Sequence, residues 1–517
     1  DALPDFRPSA STGHALADPA ADHRYGAIGF ESEFAQRILW SGNADAFAGD
    51  IIANHRPSGS QLVVDTRVIY EAGGTYFSTG EEAAAYGMPA RRNAYIAEFV
   101  SSPAGVFDGE NFGYDAQSVL QLAEMTRRAL VAGGGNVIGG GQTLGEALRH
   151  VDGWKVTSAF KDVRIDPPVR GAWESMVYTQ FTVGVPVGGI LHLLEQVAAR
   201  RKRGAKDQLV KPSRSFGGVL AEQFVGQYYR RSLAPGEIEG MRNDPLVREV
   251  WGYGWLLFNH AAAAPFGNFM KSGGLTKNFL PAALRNPFGE VRNALQKPVR
   301  EFLERNSRDI IGLFDRSLVD FIRATNPPRE VPASFSSSLL SDEDRVGDYL
   351  NYALLSGSRV VTQQVGVGMN QSGHAFSRLT GNFGTPLVLL EVRNPGERGG
   401  LLLPNEVPAY FNWFSSVAQP FFAEDQARLW QRALRSYSGL SGMVDYRPGS
   451  RFWDALARTA ELGLSPDPTS VSAVAFVAQK LSEGAPGPSG GDVVVRRAEV
   501  GGVLEGLRRV YADKGLS

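Results

Sequence analysis

Carboxylates stand at alternate positions inside short apolar segments, and this pattern constrains the 517-residue chain more than any other feature. The first such segment is Tyr25-Gly26-Ala27-Ile28-Gly29-Phe30-Glu31-Ser32-Glu33-Phe34. Its period of two predicts a strand, on which Glu31 and Glu33 project from one face, one pleat apart. Further strands are predicted at 61–67, 94–100, 176–185, 358–365 and 386–393. The second of these stops at Ser101-Ser102-Pro103, because proline cannot continue a ladder. Long helical stretches separate the strands, so the pattern predicts an α+β fold rather than a regular alternation.

Residues 1–23, rich in Pro, Ala, Ser and Asp, read as a flexible lead-in. Residues 114–132 carry helical spacing through Leu120, Leu122, Met125 and Leu130 and end at Gly133-Gly134-Gly135. A helical insertion is expected over about 190–345, broken near Ala264-Pro265-Phe266-Gly267 and Asn286-Pro287-Phe288-Gly289. The catalytic region is thus expected at 24–400 and a helical C-terminal region at 401–517, with a linker by composition at 484–491. There are no cysteines, which excludes disulfides, thiolate metal sites and a cysteine nucleophile. Net charge is −1, from 53 basic and 54 acidic residues, and asks for neither nucleic acid nor a membrane surface. No stretch has the length and apolarity of a membrane span, and the first residues lack the pattern of a signal peptide. Without an initiator Met the chain reads as a domain or fragment of a larger protein. Its Arg-, Ala- and Gly-rich composition suggests a bacterial source, with the protein cytoplasmic or delivered as an effector.

Carboxylates one pleat apart repel, and burial strengthens the repulsion, so they need water or a positive partner. An oxygen-only cluster suits Mg²⁺, which brings phosphates with it. Glu31 and Glu33 also suit a solvated strand face. Glu98, in Ile96-Ala97-Glu98-Phe99-Val100, is costly to bury unless it binds metal or pairs with Arg91 or Arg92. Glu391 and Arg393 share a face of the late strand; they are either a surface ion pair or a metal carboxylate beside a phosphate-binding guanidinium.

In their order along the chain these segments resemble the glutamine-synthetase-like carboxylate–amine ligases, and within them the bacterial amidoligases. Gly29-Phe30-Glu31-Ser32-Glu33 resembles that family's G-x-E-x-E strand. Ala97-Glu98-Phe99-Val100-Ser101-Ser102-Pro103 resembles its E-I-V-S-P strand, Gln180-Phe181-Thr182-Val183-Gly184 its H-V-H-V-G strand, and Glu391-Val392-Arg393 its late E-x-R strand. The match spans about 25–395. It implies a curved antiparallel sheet with Mg²⁺ held by Glu31, Glu33, Glu98 and Glu391, and ATP phosphates contacted by Arg393. It implies an acyl phosphate formed from a small-molecule or peptide carboxylate and attacked by an amine. One departure is plain: Gln180 and Thr182 stand where the family has histidines. Gln180 can still donate to a phosphate oxygen or coordinate through its carbonyl. Asp65-Thr66-Arg67 replaces a D-G-S segment, and Arg67 is a candidate for a substrate carboxylate.

Other features bear less chemistry. The glycine-rich 133–141 lacks the Gly-Lys-Ser/Thr ending of a phosphate loop. Lys277, in a basic glycine-containing loop, is either a phosphate contact or a surface lysine. Arg200-Arg201-Lys202-Arg203 reads as a solvated run or a dock for an acidic partner. The seven histidines show no zinc spacing, and His374 is a candidate acid or base. Two other readings stand beside the ligase: a kinase or nucleotidyl transferase on the same fold, and a toxin-like effector module of a larger bacterial protein.

Overall fold

The computed structural model describes residues 27–39, 49–56, 59–72, 75–77, 90–101, 104–105, 121–122, 143–149, 151–166, 177–200, 209–234, 236–269, 282–284, 286, 288–324, 350, 354–355, 387–393 and 401–403, with much of 406–462 and of 468–483. The chain divides into two compact units, a larger one running to Ala418 and a smaller one from Gln419 onward. In the smaller unit the helices Arg451–Glu461 and Val471–Ser482 pack together, and Trp430 meets Phe452 edge-on at 5.6 Å.

The larger unit is built on an antiparallel sheet, which agrees with the α+β expectation. Its strands are β1 (Ala27–Leu39), β2 (Ile51–His55), β3 (Gln61–Ala72), β4 (Thr75–Phe77), β5 (Ala90–Val100), β6 (Ala104–Gly105), β7 (Trp154–Val156), β8 (Arg164–Asp166), β9 (Val177–Pro186), β10 (Ala282–Leu284), β11 (Leu387–Arg393) and β12 (Leu401–Leu402). The order across the sheet is β10-β11-β9-β1-β5-β3-β2-β7, with β12, β4, β6 and β8 attached to β9, β3, β1 and β1. Strands far apart in sequence thus become neighbours: β1 lies between β5 and β9, and β9 between β1 and β11.

One face of these central strands is mostly apolar. Phe30, Phe99, Phe181, Val183, Leu390 and Val392 alternate onto it and have no exposed surface. Phe30 and Phe181, opposite each other in register, meet edge-on at 4.5 Å. Phe181 then stacks on Phe414 at 4.3 Å, so the segment around 406–417 closes this face. Burial of rings this size is the main stabilising term here. Polar atoms that fall on it are paired: the Ser32 and Thr179 hydroxyls lie 3.2 Å apart. Ser101 fastens the start of β1 twice, its Oγ accepting from Phe30 N at 2.8 Å and its N–H donating to Phe30 O at 2.8 Å.

Helix α1 (Ile190–Arg200) follows β9 directly, as its apolar spacing predicts. Helices α2 (Val210–Tyr228) and α3 (Pro245–Phe269) pack closely because glycines face each other. A Cβ on Gly217 would sit 2.4 Å from Trp251 O, and one on Gly254 would sit 3.0 Å from Gly217 Cα. The break expected at Pro265 does not occur: α3 runs through it to Phe269. The lost hydrogen bond, worth about 3 kcal/mol with the ring clash, is outweighed by a helix whose residues 251–262 are all buried. The helical insertion also contains a strand, β10, too short for its period to be read. Its Leu284 N–H donates to His260 Nε2 at 2.8 Å, which caps this end of the sheet. Nε2 is therefore the acceptor, and Nδ1 carries the proton toward Leu256 O at 2.7 Å. The predicted strand 358–365, most of the helix 114–132 and the linker 484–491 lie outside the described residues.

Two outcomes follow. Gly217→Ala lowers the melting temperature, by the equivalent of about 1–3 kcal/mol, without changing the circular-dichroism spectrum of the folded state. Burial lowers the His260 pKa to about 4, from 6.5 when unfolded. Between those values the unfolded chain binds more protons, so stability falls as pH drops from about 6.5 to about 4. Chemical denaturation across that window shows the slope, and His260→Gln flattens it.

Candidate functional site

The other face of the same strands is acidic, and register builds it row by row. Glu31 stands opposite Gln180 on one side and Val100 on the other. Arg393 stands opposite Gln180, and Val100 opposite Gln61. One step along, Glu33 stands opposite Glu98, and one step the other way Thr182 lies between Gly29 and Glu391. Neighbouring strands are about 4.8 Å apart, so β5, β1 and β11 bring four acidic positions onto one patch, with Gln180 and Thr182 of β9 among them.

The described side chains are deeply buried: Glu31 is 6% exposed, Glu98 7%, Gln180 3%, Thr182 5% and Glu391 1%. The amide of Gln180 joins two of the carboxylates. Its Nε2 donates to Glu31 Oε2 and to Glu98 Oε1, the latter at 3.5 Å. Two oxygens on the same face have no hydrogen-bond partner among the described residues, Gln180 Oε1 and Thr182 Oγ1. A buried acceptor left unsatisfied costs about 1–3 kcal/mol. Glu249, 4% exposed, receives Gln296 N–H at 2.8 Å and Gln296 Nε2 at 3.0 Å, at the residue preceding the helix Lys297–Arg305.

Gly29 keeps the face open beside Glu31. A Cβ built there meets nothing nearer than Thr182 O at 3.9 Å, so the described chain leaves that volume free. Gln61 continues the Glu31 row two strands away and is 2% exposed. Its Nε2 donates to Asn54 Oδ1 at 3.0 Å, which fixes the amide, and its Oε1 has no hydrogen-bond partner among the described residues. Sequence reasoning missed Gln61, because a lone glutamine opening an apolar strand is ordinary. Only the pairing of β3 with β5 puts it in the row.

The structure therefore brings together Glu31, Glu98, Gln180, Thr182 and Glu391. Glu33 and Arg393 occupy strand positions in the same rows, and their side chains lie outside the described residues. Arg67 stands opposite Tyr95, past a bulge between Val64 and Thr66, in a different row from Glu98. Lys277, His374 and the glycine-rich 133–141 lie outside the described residues. Arg200, first of the basic run, lies over the Trp413 ring at 4.3 Å.

Among the described residues, no three His, Asp or Glu side chains converge as ready-made metal ligands. Glu31 and Glu98 nevertheless supply two carboxylates, and Gln180 Oε1 and Thr182 Oγ1 two neutral oxygens in want of partners. An all-oxygen set of this kind fits a hard divalent cation such as Mg²⁺ or Mn²⁺. No helix among the described residues is long and apolar enough to cross a membrane.

No protein-family profile and no curated protein sequence matches the chain. Among solved structures, it is similar to a Vibrio cholerae VgrG toxin ACD domain, a Glu16Gln mutant in complex with ADP and Mn²⁺. That similarity has 14% identity, covers 71% of this chain and 94% of the other, and gives a TM-score of 0.36. It is also similar to a Vibrio cholerae toxin of the MARTX/VgrG family, with 14% identity, 76% and 96% coverage and a TM-score of 0.35. Likeness at this level supplies this chain with neither a mechanism nor a site residue.

Thr182→Val removes a buried hydroxyl that has no hydrogen-bond partner among the described residues. The variant keeps or gains stability, by up to about 1–3 kcal/mol, in thermal melts without added ligand. A clear loss of stability would mean that the hydroxyl serves the fold.

Proposed function

We propose that the acidic face is the active site of a ligase, dependent on ATP and a divalent cation, that joins a carboxylate to an amine on a glutamine-synthetase-like sheet. The observation that carries the proposal is the meeting of Glu31 and Glu98, from strands nearly seventy residues apart, at one uncharged amide. Two buried carboxylates so placed favour a positive charge close to both of them. Keeping them beside two unsatisfied oxygens suits a charge that arrives with the substrate.

In this reading Glu31 and Glu98 hold one cation, with Glu33 beside them in register with Glu98, and Glu391 serves a second. The bound cation would neutralise phosphate charge as it develops. The chain's own contributions are positioning and electrostatics. Arg393, in the Gln180 row, is the residue for a transferring phosphoryl group, and Thr182 and Gln180 offer polar contacts to the same group. Lys277 and Arg67 are candidates for further phosphate and substrate-carboxylate contacts. The substrate carboxylate attacks the γ-phosphorus, ADP leaves, and an acyl phosphate results. An amine then attacks the acyl carbon, and phosphate departs with the amine's spare proton. Burial of Glu31 and Glu98 keeps water from competing with the amine.

The test is ADP release with Mg²⁺ or Mn²⁺ and pooled carboxylates and amines, followed by mass spectrometry of the products. Glu31→Gln loses at least about 100-fold in turnover while remaining folded. Turnover equal to wild type would remove Glu31 from the chemistry. ADP release with a phosphorylated product and no amide would assign the face to phosphoryl transfer alone.

A further inference from the structure

We infer that Gln61 sets substrate choice on the acidic face: its Oε1 accepts a hydrogen bond from an N–H group that the carboxylate substrate carries a short aliphatic chain away from its reacting end. The inference rests on the ligase reading above and names the substrate class of that site. Its basis is a single row across seven strands. Arg393 stands opposite Gln180, Gln180 opposite Glu31, and Glu31 opposite Val100. Val100 in turn stands opposite Gln61, Gln61 opposite Asn54, and Asn54 opposite Lys155. Residues directly opposite one another share a face, so Gln61 lies in line with the positions assigned to phosphate and metal. Two strand spacings, about 10 Å, separate it from Glu31. Beyond it the row reaches solvent, for Asn54 is half-buried and Lys155, on the edge strand β7, is exposed.

The stretch between the carboxylates and Gln61 is apolar. Val100 separates Glu31 from Gln61 in this row, and Val63 stands opposite Glu98 in the next. The two valines pack together and are 1% and 2% exposed. Such a floor accommodates methylene groups and offers a polar chain nothing. Gln61 is the next polar side chain along the row. Its Nε2 is committed to Asn54 Oδ1 at 3.0 Å, so the amide has only its acceptor left to give. That acceptor, Oε1, belongs to a side chain 2% exposed and has no hydrogen-bond partner among the described residues. A buried acceptor discriminates sharply, because a ligand without the donor leaves the oxygen's desolvation uncompensated. It selects N–H over an ether or ester oxygen. Being uncharged, it suits a neutral N–H, as in an acylated amine or a peptide bond.

The test follows hydroxamate formation with ATP, Mn²⁺ and hydroxylamine as the amine. The carboxylates are N-acetylated ω-amino acids of graded chain length, each paired with its O-acetylated ω-hydroxy acid, which puts an ester oxygen in place of N–H. Wild type prefers the amide member of its best pair by at least about 10-fold in kcat/KM. Gln61→Met keeps the length of the side chain and removes the amide. It raises KM for that substrate by at least about 10-fold, holds kcat within about threefold, and leaves the ester unaffected. A purely structural role would move both members of the pair alike. Gln61→Leu has the same effect and carries the test if Gln61→Met does not fold. Equal use of amide and ester by wild type overturns the inference without recourse to any variant, and so does a folded variant that keeps the preference. In both cases hydroxamate still forms and the ligase reading stands. Absence of hydroxamate from every carboxylate overturns the ligase reading and this inference with it.

Discussion

The placing of Glu31 and Glu98 on the back of an aromatic-packed face is the constraint around which the central sheet is arranged. Each residue sits in a strand whose other face is packed with phenylalanine, so neither carboxylate can turn away without dragging an aromatic ring out of the core. The period of two makes this unavoidable: whatever fixes Phe30 and Phe99 on one side fixes Glu31 and Glu98 on the other. The apolar face supplies the free energy, and the acidic face is where some of it is given up.

That arrangement explains why polar atoms on the two faces are treated so differently. Behind the sheet, Ser32 meets Thr179, and Ser101 closes a reciprocal pair with the Phe30 backbone. In the helical region, Glu249 and His260 each have dedicated partners, and His260 uses both ring nitrogens to tie α3 to itself and to β10. On the acidic face, Gln61, Gln180 and Thr182 each keep an oxygen without a hydrogen-bond partner among the described residues. Among the described sheet residues these three oxygens share one face, while Trp154 Nε1, on β7, also lacks a hydrogen-bond partner.

Much of the fold could be read from residue order. The strands carrying Glu31, Glu98, Gln180 and Glu391 announce themselves by alternation, and α1 by its apolar stripe. The short strands β2, β7, β8 and β10 do not, because three to five residues are too few to show a period. The proline in α3 misled for a related reason: its local penalty is real, but the burial that outweighs it belongs to the whole helix. Among the site residues, the ordered motifs singled out Gln180 and Thr182 only as departures from a resemblance. They did not reveal that Gln180 reaches two carboxylates.

Sequence alone determined which face of each strand a residue occupies, since alternation is a local property of the backbone. It therefore determined that Glu31 and Glu33 lie together, and that Glu391 and Arg393 do. Which strands stand side by side was decided only by tertiary structure, through pairings across 55 to 213 residues that no local pattern encodes. The site exists because of those pairings. Register set Glu31 beside Gln180 and Glu33 beside Glu98, and burial of the opposite face held them there.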